Sequence, residues 1–175
     1  MRLALTPHPD FPCPPVHEMA VDVTRTATGL VLRYNIAGDL SQVVLPDEGP
    51  RGRADELWKH SCFEAFILAD EGYVELNLSP SDQWAAYHFD SYRSGMAPAE
   101  ATLVGLNQHR APDHYEITAN LDLSGAGLPA KRWKLGLSAV VELSDGARGY
   151  FALRHAPGQP DFHHADAFNL NLDPS

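Results

Sequence analysis

Residues 57–93 constrain the fold of this chain more than any other stretch. They predict three consecutive strands, His60–Leu68, Tyr73–Ser79 and Gln83–Asp90, separated by the turns Ala69-Asp70-Glu71-Gly72 and Pro80-Ser81-Asp82. Short alternating runs bounded by Gly, Pro, Asp and Ser form an antiparallel meander. Successive side chains of a strand point to opposite faces. Phe63, Ala65 and Ile67 therefore oppose Cys62, Glu64 and Phe66, and Val74, Leu76 and Leu78 oppose Tyr73, Glu75, Asn77 and Ser79. With the aliphatic sets in a core, Glu64, Glu75 and Asn77 meet on the other face. That face is either the wet side of an antiparallel sheet or a surface that hydrogen-bonds a polyhydroxylated ligand. Pattern alone favours the wet side.

The remaining chain repeats the alternating motif. Glu18–Thr26, Leu30–Ala37, Ser41–Leu45, Ala101–Arg110, His114–Leu123, Trp133–Leu143, Gly149–Arg154 and Phe168–Leu172 all carry strand signals. No stretch has a helical period. About ten short strands with regular turns predict an all-β fold, an antiparallel β-sandwich. Residues 1–17 hold Pro7, Pro9, Pro12, Pro14 and Pro15, so an extended arm with His8 and His17 in solvent precedes a single domain over 18–175. The loop Asp47–Asp55, leading to Trp58, has the length and polarity of a binding loop.

Charge narrows the partners. The 175 residues carry a net −10, with Lys59, Lys131 and Lys134 the only lysines. Such a balance repels phosphate backbones, so nucleic acid is excluded as a partner. An acidic chain attracts cations, calcium among them. No apolar run approaches the ~20 residues of a membrane-spanning helix, and Pro7 interrupts the apolar start before an export signal forms. The expected setting is cytoplasmic, without membrane attachment, with Cys13 and Cys62 as free thiols.

The densest chemical cluster is Arg154-His155 followed by Asp161-Phe162-His163-His164 and Asp166. Imidazoles beside carboxylates are the ingredients of a metal site or of acid–base chemistry. Adjacent histidines on extended chain point apart, however, and no zincin, paired-cysteine, nucleophile-elbow or phosphate-loop motif occurs. No catalytic residue is therefore assigned. Trp133 opens a strongly alternating strand and belongs to the core. Trp58 and Trp84 stand at strand ends, where an indole can stack on a sugar ring.

The pattern Trp58…Ser61-Cys62-Phe63-Glu64-Ala65-Phe66-Ile67, followed by Tyr73-Val74-Glu75-Leu76-Asn77-Leu78-Ser79-Pro80, resembles paired strands of DOMON-like domains and family 9 carbohydrate-binding modules. Tyr115-Glu116-Ile117 and Leu135 to Val141 before Ser144-Asp145-Gly146 are similar to later strands of that group. Pro160-Asp161-Phe162-His163-His164 resembles the ending of a bacterial DOMON-like branch. The resemblance covers roughly residues 16–155. It implies a jelly-roll or immunoglobulin-like sandwich that binds sugar or haem without catalysing a reaction. In carbohydrate-binding relatives two tryptophans clamp the sugar and calcium supports loops; Trp58 matches the first, and nothing after Trp133 matches a late second one. Haem-binding relatives use Met with His or Lys, and no such pair aligns here.

The resulting expectation is a non-catalytic module for a carbohydrate or other small molecule. Trp58 and Trp84 would stack; Glu64, Glu75, Asn77 and Arg93 would bind hydroxyls; His60, His155, Asp161 and His163 would border the site. The alternatives are a haem or metal protein using His60, His88, His155, His163 or His164, and an enzyme built on the histidine–carboxylate cluster. Calcium precedes haem as a cofactor.

Overall fold

A computed structural model describes residues 1–174. In chain order the strands are β1 (Arg2–Ala4), β2 (Thr6–Pro7), β3 (Val16–Arg25), β4 (Gly29–Gly38), β5 (Val43–Val44), β6 (Gly52–Arg53), β7 (Cys62–Leu68), β8 (Tyr73–Leu78) and β9 (Gln83–Phe89). They continue as β10 (Ala97–Pro98), β11 (Thr102–Arg110), β12 (His114–Asp122), β13 (Trp133–Leu143), β14 (Arg148–Ala152) and β15 (Leu170–Leu172). Three 3-10 turns, at Leu40–Gln42, Leu57–Lys59 and Ala165–Ala167, interrupt them. No helix among the described residues is long and apolar enough to cross a membrane.

The strands form two sheets that pack as a β-sandwich. One runs β1-β3-β4-β12-β11; the other runs β10-β9-β8-β7-β13-β14-β2, with β5 and β15 also pairing with β13. All pairings are antiparallel except the short β6–β9 contact. The alternation of the central meander holds: Phe63, Ala65, Ile67, Val74, Leu76 and Leu78 face the first sheet. Opposite them, β4 contributes Leu30, Leu32, Tyr34 and Ile36, and β12 contributes Tyr115, Ile117, Ala119 and Leu121. Phe63 lies between the rings of Tyr34 and Tyr115, at 5.1 and 5.8 Å between centroids. The Tyr34 hydroxyl donates to the Glu64 carbonyl at 2.6 Å, so this buried polar group is satisfied through a backbone acceptor of the site-bearing strand.

Trp133 is 6 % exposed, as its strand pattern requires, and its indole N–H donates to the Pro129 carbonyl at 2.7 Å. Two expectations change. The N-terminal arm does not stand in solvent: β1 pairs with β3, and β2 pairs with β14 in the other sheet. His8 is consequently buried, its Nδ1 accepting from the Asp10 N–H at 3.2 Å. The proline-rich sequence is compatible with this because edge strands tolerate proline. The second change concerns the outer face of the β7–β8–β9 meander. It is not a wet face: every residue of β8 is buried. A second apolar cluster lies there, in which Cys62, Phe66, Tyr73, Tyr87 and Phe89 are covered by Leu57, Phe162 and Phe168.

Candidate functional site

Two segments cover that outer face and leave an opening between them. On one side the 3-10 turn Leu57–Lys59 buries Leu57 and leaves Trp58 half-buried. Glu56, just before it, takes the left-handed backbone at φ 61°, which turns the loop sharply onto the sheet. The Tyr87 hydroxyl donates to Asp55 at 2.6 Å, and the Tyr87 ring meets Trp58 edge-on at 6.1 Å. On the other side the C-terminal segment crosses β13 at Gly136. A Cβ there would sit 3.0 Å from the Ala167 carbonyl oxygen, so the missing side chain allows the close approach.

Between these covers lies a cleft of about 340 Å³. Its walls are Trp58, Phe89, Met96, Val140, Tyr150, Pro160 and Phe162; its polar lining is Glu64, Glu75, His163, Arg93 and Arg148. Strand register explains the floor. Glu64 is opposite Asn77 and Glu75 is opposite Phe66, so the two glutamates are diagonal neighbours across β7 and β8. On the other flank Glu64 is in register with Ser138 of β13.

Both carboxyl groups are almost excluded from water, with Glu64 3 % and Glu75 4 % exposed. Glu75 is held by Asn77, whose amide donates to Oε1 at 2.7 Å. The Glu64 carboxyl has the Ser138 hydroxyl, in register with it on β13, as its hydrogen-bonding neighbour, and that buried hydroxyl makes no close hydrogen bond of its own. Burial raises the Glu64 pKa well above the usual carboxylate range, and the neighbouring Glu75 charge raises it further; Ser138 and Arg93 act in the opposite sense. Burial likewise raises Glu75, against the pull of Asn77 and Arg93. Two carboxylates so placed resist simultaneous ionisation.

His163 stands over this pair. Its Nδ1 lies 2.6 Å from the Tyr73 hydroxyl and its Nε2 lies 3.7 Å from Glu75 Oε2. The Arg93 backbone N–H donates to the same Tyr73 oxygen at 3.2 Å. With the Arg93 N–H on one lone pair, the Tyr73 hydroxyl can donate to Nδ1 in the tautomer that carries its proton on Nε2, toward Glu75. Burial, and then the Arg93 charge, push the His163 pKa down to about 4. At neutral pH the ring is uncharged and does not neutralise Glu75.

The mouth is fixed by Asp161. It accepts from Arg93 Nη2 at 2.9 Å, from the Tyr92 hydroxyl at 2.6 Å and from the His163 N–H at 3.1 Å. These bonds tie the 91–94 turn to the C-terminal segment. They also hold Arg93 in left-handed backbone at φ 52°, a conformation that persists only where its surroundings fix it.

The sequence-predicted residues therefore divide. Trp58, Glu64, Glu75, Arg93 and His163 line the cleft. Asn77 and Asp161 stand behind it, orienting Glu75 and Arg93. Three lie elsewhere. Trp84 points into the core between the sheets, 7 % exposed, with the Arg53 guanidinium 4.5 Å over its ring. Its register opposite Leu78 puts it on the wrong face to stack on a ligand. His60 is on the surface, 2.7 Å from Glu142. His155 packs against His8 at 4.9 Å and shares a hydrogen bond with the Thr6 carbonyl at 2.8 Å, while its buried Nδ1 has no partner.

Of the other histidines, His88 is near Asp90 and His164 near Asp166. Among the described residues no group of three or more His, Cys, Asp or Glu is arranged to hold a metal ion. Sequence reasoning missed Phe89, Arg148, Tyr150 and Phe162 as lining residues and Tyr73 as the partner of His163. Alternation could have found Tyr73 and Phe89, which share the Glu75 face in rows of the meander. Nothing local to the sequence marks Arg148 and Tyr150. No protein-family model, curated protein or solved structure gives a significant match to this chain.

Proposed function

We propose that the protein is a non-catalytic carbohydrate-binding module whose ligand occupies the Trp58–Glu64–Glu75 cleft. One observation carries this reading: buried carboxyl groups form the floor of a cleft whose walls are aromatic. Sugars present apolar ring faces to indole and phenyl groups and hydroxyls to carboxylates and guanidinium groups. A volume of about 340 Å³ lies at the small end of ligand sites and suits a monosaccharide unit. The residues resembling DOMON-like domains and family 9 carbohydrate-binding modules include Trp58, Glu64 and Glu75, so the resemblance and the cleft support the same ligand class. On this reading the sandwich is of the DOMON-like jelly-roll type and serves a soluble ligand in the cytoplasm.

Intrinsic fluorescence tests the proposal directly. Trp84 and Trp133 are buried in the core, which leaves Trp58 as the half-exposed indole. A saturable shift with one sugar from a panel, abolished in Trp58→Ala and retained in Trp84→Phe, is the expected result. No response to any sugar by a folded protein sinks the proposal.

A second reading is favoured by the Tyr73–His163–Glu75 chain, which places a neutral imidazole between a hydroxyl and a carboxyl group. Such a chain can move a proton in general acid–base catalysis. Turnover of an aryl glycoside, lost in His163→Ala, would put this reading first.

A further inference from the structure

We infer that the ligand carries an ammonium group, which makes it an amino sugar whose free amine sits on the Glu64–Glu75 pair. This rests on the carbohydrate reading and adds the chemical class to it. The starting point is a poorly satisfied group. Glu64 is 3 % exposed, lines the cleft, and has only the Ser138 hydroxyl, itself without a close hydrogen bond, to accept from. A buried carboxyl group is normally paired, because the desolvation it suffers is offset only by a counter-charge or by hydrogen bonds.

The protein supplies that counter-charge only at a distance, through the Arg93 guanidinium, and places no cation in contact with the pair. His163 is neutral, Arg93 is bonded to Asp161, and Asn77 is bonded to Glu75. The other titratable neighbours on the packed strands are Cys62, Tyr73, Tyr87 and Tyr150, none of which is cationic. Arg148 lies at the solvent-exposed mouth, where water and salt screen its charge. The contact position for a cation on the pair is therefore left to the ligand.

The walls choose between cations. A divalent metal such as calcium takes 6–8 oxygen ligands, whereas Trp58, Tyr150 and Phe162 offer ring faces and edges. Aromatic faces beside carboxylates favour an organic ammonium through cation–π attraction added to the ion pair. The apolar face of the sugar ring then lies against the indole as the carbohydrate reading requires. Because burial raises both carboxyl pKa values, an ammonium that pairs with them favours the ionised form and is linked to proton release.

Titration calorimetry of the intact protein with glucosamine, glucose, N-acetylglucosamine and tetramethylammonium at pH 6.5 provides the test. The experiment is repeated in buffers of different ionisation enthalpy. Glucosamine should bind about tenfold or more tightly than glucose or N-acetylglucosamine and should release protons, as neutral sugars do not. Glu64→Gln should remove that preference and the proton release. Glu75→Gln is a second variant in case the first does not fold. Equal or tighter binding of glucose overturns the ammonium inference and leaves the sugar site standing. Binding of tetramethylammonium as tight as that of glucosamine supports the cation site but removes the carbohydrate reading. If none of the four binds, both fail.

Discussion

Replacing His163 with Asn should flatten the acid limb of the stability curve. The ring has an ordinary pKa of 6.5, and in the fold it is pushed down to about 4 by burial and by Arg93. Between those values the unfolded chain binds a proton that the native protein does not. Stability associated with His163 is therefore complete above about pH 6.5 and is lost as pH falls through about 4. The difference of about 2.5 units sets the scale. Integrated over the titration it removes about 2 kcal/mol by pH 5 and about 3 kcal/mol by pH 4, relative to pH 7. The side chain is 15 % exposed, so these are upper values.

Asparagine suits the substitution because its oxygen can accept from Tyr73 in place of Nδ1 and it does not titrate. Glu64 and Glu75 shift in the opposite sense: raised in the fold, they contribute stability at low pH that is lost as pH rises. Comparing the two proteins at each pH cancels that contribution to first order. Urea unfolding at pH 7, 6, 5 and 4 would read the difference. Parallel curves, within about 0.5 kcal/mol across the range, would refute a buried neutral imidazole.

Two further outcomes follow from the packing. Gly136→Ala places a methyl group 3.0 Å from the Ala167 carbonyl; it should destabilise by about 1 kcal/mol and accelerate proteolysis within 155–169, measured by limited digestion. Cys13 and Cys62 are both buried and unpaired, and burial raises both thiol pKa values. Thiol reagents should label neither in the native protein and both after unfolding, and rapid native labelling of Cys62 would contradict the burial of its thiol against Asn77 Oδ1, 3.7 Å away.

The sandwich was legible because alternation is a local signal. Trp133–Leu143 is one strand with the predicted limits, and β7, β8 and β9 differ from prediction only at their ends. The 3-10 turn at Leu57–Lys59 shortened the first of them, since it forms where the loop folds onto the sheet. Trp84 was misplaced for a related reason. Its position at the start of β9 suggested a rim, whereas register opposite Leu78 decides its face, and register depends on the partner strand. The histidine–carboxylate cluster was recognised as a unit, but its members separate: His163 lines the cleft with Asp161 behind it, while His155 belongs with His8 under the N-terminal arm.

By itself the sequence determined that the chain is an all-β sandwich and that Glu64, Glu75 and Asn77 share a face, because a period of two follows from the geometry of a single strand. It could not determine whether that face is wet. That depends on Leu57, Phe162 and Phe168, which come from segments far from the meander and close over it only in the folded chain. Their covering converts an ordinary polar face into a cleft with two dehydrated carboxyl groups. Desolvation depends on all the neighbours surrounding a group, so tertiary structure alone decided that these glutamates are dehydrated.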